Sequence, residues 1–175
     1  MKKQLEHQSE YEHVTHTFGP VYDADSKILI LGSMPSVKSR EQQFYYGHPQ
    51  NRFWKVLTAV IGETEPETID QKKDLLLRNH LALWDVIASC DIIGSSDSTI
   101  KNVKENDMRV ILDSADIKAI CFNGGKAYEL FMKYCGQYIH EDKPKLVRLP
   151  STSPANAAWS LDRLTLAWRE GLERK

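Results

Sequence analysis

Along the chain, short continuous apolar runs alternate with stretches whose apolar residues recur at helical spacing. The first run is KILILG, Lys27 to Gly32. It is partly β-branched and stops at glycine, the pattern of a parallel strand buried on both faces. The polar stretch SMPSVKSREQQFYYGHPQ that follows reads as a loop. NRFWKVLTAVIG then places Phe53, Trp54, Val56, Leu57 and Val60 at helical spacing and ends at Gly62. Glu65 to Asn79 predicts a second helix, with Pro66 near its first turn. LALWDVIA, Leu81 to Ala88, predicts a second strand, and Asn106 to Ala115 a short helix. Ile117 to Gly124 is a third buried strand, followed by a helix over Gly125 to Cys135. KLVRLP, Lys145 to Pro150, is a fourth strand, and the polar loop STSPANA leads to a last helix, Ser160 to Leu172.

Strands alternating with helices predict an α/β fold: a three-layer α/β/α sandwich around a central, mostly parallel four-stranded sheet with right-handed crossovers. The 175 residues suit one domain with one core, and no repeat, low-complexity tract or linker divides them. Residues 1–18 are polar and carry His7, His13 and His16; a loosely ordered arm is expected there rather than a metal site. In open parallel sheets ligands sit beyond the carboxyl ends of the strands. That rule selects the loops starting at Gly32, Asp85, Asn123 and Pro150.

Composition narrows the class. With 41% hydrophobic and 27% charged residues, the chain reads as a globular protein. No apolar run approaches the roughly 18 residues a membrane helix needs. Lys2 and Lys3 are not followed by an apolar stretch, so no secretory signal is expected and the cytoplasm is the expected compartment. Cys90, Cys121 and Cys135 form no CxxC pair, which predicts reduced core thiols and no zinc or iron–sulfur site; no cofactor is expected. The net charge of −1 argues against broad phosphate contact but allows a small local footprint.

Candidate chemistry lies in the selected loops. GSMPS sets Gly32, Ser33, Met34, Pro35 and Ser36 where the backbone must turn tightly at a strand end, with Gly32 permitting close approach of a ligand. Phe44, Tyr45 and Tyr46 either offer rings on which a base can stack or pin the loop to the core. Asn51, in HPQN, is an N-cap by residue type and equally a side chain able to orient a water or a base edge. His48 either protonates a leaving group or orders the loop. Lys38 and Arg52 are candidates for a phosphate footprint, with Arg40 and Lys55 nearby. Asn123 follows a buried strand directly and either reads a base edge or makes a turn; Gly124, Gly125 and Lys126 open the next helix, a possible anion site. In LPSTSPANA, Ser151, Ser153, Pro154, Ala155 and Asn156 form a small, stiffened loop that either enters a groove or caps a helix. Asp85 is a carboxylate facing the pocket or a loop hydrogen-bonder, and the GSSDS loop completes the set.

Taken together and in order, these segments resemble the uracil-DNA glycosylase superfamily. ILILGSMPS resembles its first active-site motif, a strand with a Gly-x-x-Pro turn. GHPQNRFW resembles the Pro-x-Asn-x-Phe-Trp segment shared with the mismatch-specific glycosylases, and STSPANA stands where the superfamily has its Ser-Pro-containing intercalation loop. LGSMPS, YYGHPQNRFW, LWDV, FNGGKA and STSPANA resemble the hypoxanthine-DNA (deoxyinosine) glycosylase branch, over about residues 17 to 172. Many superfamily members carry Asp or Asn just before the motif proline to position water; here that residue is Met34, which cannot. The resemblance implies that Asn51 takes over this role and that Asn123 helps bind the base. It also implies a monofunctional hydrolase acting on double-stranded DNA that contains a deaminated base, hypoxanthine before uracil or xanthine; a monomer is expected. A nucleoside hydrolase and a non-catalytic binder of damaged DNA are the rival readings, the latter kept open by Met34.

Overall fold

In the computed structural model, the described residues are 10–173. Strand β1 is Glu12–Thr15 and β2 is Ile28–Gly32. Helices α1 (Val37–Gln42), α2 (Phe53–Ile61) and α3 (Ile69–Arg78) follow, then β3 (Leu81–Asp85), β4 (Ile87–Ile92) and β5 (Lys101–Glu105). Helix α4 (Arg109–Leu112), β6 (Ala119–Asn123), α5 (Gly125–Cys135), β7 (Lys145–Leu149) and α6 (Leu161–Glu173) complete the order. The central sheet is four-stranded and parallel, in the order β3-β2-β6-β7. Helices flank it, as the α/β/α expectation requires: α3 packs on β3, α5 on β6, and α6 on both β7 and α2.

Burial explains the continuous apolar runs. Every residue of β2 and β3 is buried, so neither strand has a face to give to polar residues. Helix α2 turns Phe53, Trp54, Val56 and Leu57 inward, and Phe53 meets Trp168 of α6 edge-on at 5.8 Å. Gly62 ends α2 with φ +74°, a left-handed turn that glycine makes without strain. Helix α3 begins later than its periodicity suggests, because Thr68 and Gln71 form a reciprocal capping box at its start.

Four expectations are corrected. Leu81 to Ala88 is not one strand: the chain leaves the parallel sheet after Asp85 and enters a second, antiparallel sheet of order β1-β4-β5. Asn106 fixes this corner, its Nδ2 donating to the carbonyls of Asp85 (2.9 Å) and Ile87 (3.1 Å). β5, KNVKE, is mostly exposed and has no apolar pattern to announce it. The helix expected over 106–115 contracts to Arg109–Leu112, and the loop after β2 contains α1. Residues 10–18 are not a loose arm, since β1 pairs with β4 from Glu12 to Thr15 and His16 N donates to Ala88 O at 2.7 Å. His7 lies outside the described residues. Among the described residues, no helix is long and apolar enough to cross a membrane. Cys90, Cys121 and Cys135 are buried free thiols, and burial pushes the thiols of Cys121 and Cys135 up to about 12.

Candidate active site

The parallel register carries the ends of all four central strands to one edge. Gly32 lies opposite Asp85, and Asn123 opposite Leu149. Beyond that edge is a pocket lined by Gly32, Ser33, Met34, Pro35 and Ser36, by Tyr45, Tyr46 and Asn51, by Asp85, Asp97 and Asn123, and by Ser151, Thr152 and Ser153.

One wall is a chain of side-chain hydrogen bonds centred on Thr152, which has no exposed surface. Asn123 Nδ2 donates to Thr152 Oγ1 (3.0 Å), and Thr152 N returns a bond to Asn123 Oδ1 (3.0 Å). Thr152 Oγ1 in turn donates to Asn51 Oδ1 (2.9 Å). Asn51 Oδ1 also accepts from Phe53 N (2.9 Å) at the start of α2. Both lone pairs of that oxygen are therefore engaged, and Asn51 offers the pocket its Nδ2 donors. Asn51 is not the N-cap of α2, a place Arg52 takes; it sits one residue earlier, where its Oδ1 ties down the helix start and its Nδ2 is left for the pocket, so the two ends of the amide do different work.

The opposite side is built around Gly32. A Cβ there would stand 2.5 Å from Asp85 Oδ1 and 3.0 Å from Tyr46 Oη, so only glycine permits this approach. Asp85 is buried, and its Oδ2 is 2.8 Å from His16 Nε2. Tyr46 holds a left-handed φ of +54°, stacks on Phe53 at 4.1 Å, and buries its Oη without a hydrogen-bond partner among the described residues. Burial first, and the Asp85 charge second, push the Tyr46 phenol above its ordinary value, so it stays neutral. At the rim, Ser33 Oγ donates to Asp97 Oδ1 (2.9 Å); desolvation, with a smaller contribution from Asp85, raises the Asp97 carboxyl above the ordinary range.

Several predicted residues have other places. Phe44 does not line the pocket: it is buried in the core, stacked with Trp54 at 6.3 Å. Tyr45 lines the pocket but donates its hydroxyl to Gly19 O (2.8 Å) among His16, Phe18 and Phe44, a structural post. His48 lies off the pocket lining, and its Nδ1 accepts from Gln50 N (3.1 Å), so it orders the turn. Arg52 is not free for a phosphate. Its Nη1 donates to Trp159 O, and its Nη2 to Ser153 O (3.2 Å) and Asn156 O (3.1 Å), lashing the loop after β7 to α2. In that loop Asn156 Nδ2 holds Ser151 O (2.9 Å), Ser151 Oγ accepts from Ser153 N and Ser153 Oγ from Ala155 N, leaving Pro154 and Ala155 exposed at the tip. Ser36 caps α1, accepting from Ser39 N (3.2 Å), while Lys38 is exposed and paired with Glu41. Lys126 stands at the start of α5, close enough to Asp97 to act on its charge.

Thr152 and His16 are site residues that sequence reading missed, whereas Asp97 belongs to the GSSDS loop already in the candidate set. Thr152 sits between two serines singled out beside it, and only burial separates its role from theirs. His16 is 69 positions from Asp85, and no local pattern links them. His13 pairs separately with Asp91 (2.8 Å). Among the described residues, no group of His, Cys, Asp and Glu converges as a metal ion requires.

Comparison with known proteins gives the family. The family model for the uracil DNA glycosylase superfamily matches residues 20–170. A Methanosarcina barkeri protein named hypoxanthine DNA glycosylase is 36% identical over 161 residues, spanning 90% of this chain and 97% of that one. A Methanosarcina acetivorans protein of the same name is 39% identical over 150 residues, 83% and 90% of the two chains. A solution NMR structure of a candidate uracil DNA glycosylase from Methanosarcina acetivorans superposes with a TM-score of 0.69 at 34% identity, covering 87% of this chain and 95% of that one. The chain belongs to the uracil DNA glycosylase superfamily.

Proposed function

We propose that this chain, a hydrolytic DNA glycosylase by family, acts as a monomer on double-stranded DNA, flips out a deaminated base and releases it, opening base excision repair. Hypoxanthine is the first substrate, with uracil and xanthine as further ones. The Asn51–Thr152–Asn123 bridge carries the reading, since it sets two amides side by side in a pocket rimmed by the 151–156 loop. The names of the two relatives favour hypoxanthine.

The base must leave the stack to reach such a pocket, which costs least for a mispaired base. Tyr46 is the one ring of the three predicted that both borders the pocket and keeps its hydroxyl uncommitted, and the base stacks near it. As the C1′–N9 bond breaks, its electron pair goes to the base; water oxygen joins C1′ and one water proton ends on the base. Asn51 holds that water through Nδ2, donating to its oxygen and leaving a lone pair for C1′. An amide is no general base, but a cation-like sugar needs little base assistance. The second Nδ2 hydrogen of Asn123 stabilises the negative charge on the departing base. Main-chain amides of the 33–36 turn border the same space, and His48 takes no part.

Duplexes bearing hypoxanthine, uracil or xanthine, incubated and then cleaved with alkali at abasic sites, test the reading, with free inosine as the nucleoside-hydrolase arm. Asn51→Ala should lose base release about 100-fold or more while keeping most duplex binding. Wild-type release by that variant refutes the role of Asn51, and cleavage of free inosine alone refutes action on DNA.

A further inference from the structure

Asp85 is 3% exposed, yet its carboxylate borders the pocket. Its two oxygens have different surroundings. Oδ2 is held at 2.8 Å by Nε2 of His16, whose ring is enclosed by Phe18 (4.5 Å) and Tyr45 (5.8 Å). Oδ1 has no hydrogen-bond partner among the described residues, and stands against the open Cα of Gly32 at the pocket floor. A carboxylate oxygen that opens on the pocket with no protein donor is free to accept a hydrogen bond from a group that enters. Tyr46 Oη stands beside it without bonding.

Deamination supplies such a donor. When the exocyclic amine of adenine or cytosine becomes a carbonyl, the neighbouring ring nitrogen changes from a lone pair to an N–H. We propose that Asp85, positioned by His16, is the specificity element of this site, its Oδ1 accepting the ring N–H that deamination creates. Adenine and cytosine present a lone pair at that point and are repelled. Guanine and thymine also carry a ring N–H, so this contact separates deaminated bases from their adenine and cytosine parents, and pocket shape must exclude the other two. The inference rests on the glycosylase reading and assigns the discrimination to a pair that bridges β3 and the segment just after β1, remote from the Asn51–Thr152–Asn123 bridge in sequence.

The test compares single-turnover release of hypoxanthine with that of unsubstituted purine, whose N1 is a lone pair, from otherwise identical duplexes. Asp85→Asn keeps the shape but reverses the polarity. His16 still needs an acceptor, so the amide oxygen faces it and the NH2 group faces the pocket. Hypoxanthine release should fall at least tenfold while purine release holds or rises, so their ratio collapses by at least about tenfold. His16→Ala should shrink the ratio, and His16→Gln, which keeps a side-chain donor, should restore most of it. Melting temperatures establish that the variants are folded. If Asp85→Asn lowers both releases equally, or leaves the ratio unchanged, Asp85 is structural and the inference falls while the glycosylase reading stands. If the wild type releases no base from any duplex, both fall together.

Discussion

Thr152→Val is the sharpest probe of the bridge between the two asparagines. Valine fills nearly the same volume in a site with no exposed surface but has no hydroxyl. Two hydrogen bonds disappear, to Asn51 Oδ1 at 2.9 Å and from Asn123 Nδ2 at 3.0 Å. At about 1 kcal/mol each, that is about 2 kcal/mol of stability, or a Tm drop of about 4–8 °C for a chain of this length. Asn51 keeps its bond from Phe53 N, and Asn123 its bond from the Thr152 main chain, so the fold survives. What is lost is the common orientation of the amides, and about a 10- to 100-fold fall in single-turnover release follows. Thr152→Ser keeps the hydroxyl and removes one methyl, a loss of about 1 kcal/mol with activity largely retained. The two variants thus differ by only about 1 kcal/mol in stability but widely in rate. Wild-type release by Thr152→Val, or an equal loss in both variants, refutes the reasoning.

Three further outcomes are expected. Arg52→Ala should weaken duplex binding by freeing the 153–159 loop without changing the salt dependence of binding, whereas loss of a phosphate contact reduces the log–log salt slope by about one; a titration across salt concentrations distinguishes them. Gly32→Ala should displace Asp85 or Tyr46, cost about 1–3 kcal/mol in urea unfolding and abolish most base release; near-wild-type values in both measurements count against the close approach at Gly32. Cys121, its thiol raised to about 12 and buried, should resist alkylation in the native protein at pH 8 and react once unfolded; rapid native labelling, read by mass spectrometry, contradicts its burial.

Local pattern alone determined the central sheet and its helices. Residues 28–32 and 119–122 are apolar because a strand buried on both faces has nowhere to put a polar side chain, and that need is written in consecutive positions. The carboxyl-end rule then placed Gly32, Asp85 and Asn123 around one site, because parallel strands bring their ends to one edge whatever lies between them. Tertiary structure decided what those residues do there. LALWDVIA reads as one strand until Asn106 turns it at Val86, and KNVKE forms a strand only because β4 offers it a partner. Arg52 looks like a phosphate ligand until three loop carbonyls claim it, and Phe44 looks like a stacking ring until Trp54 covers it. Thr152 and His16 become site residues through partners 101 and 69 positions away. Hydrogen bonds and burial act through space, and a side chain's neighbours in sequence carry no record of them.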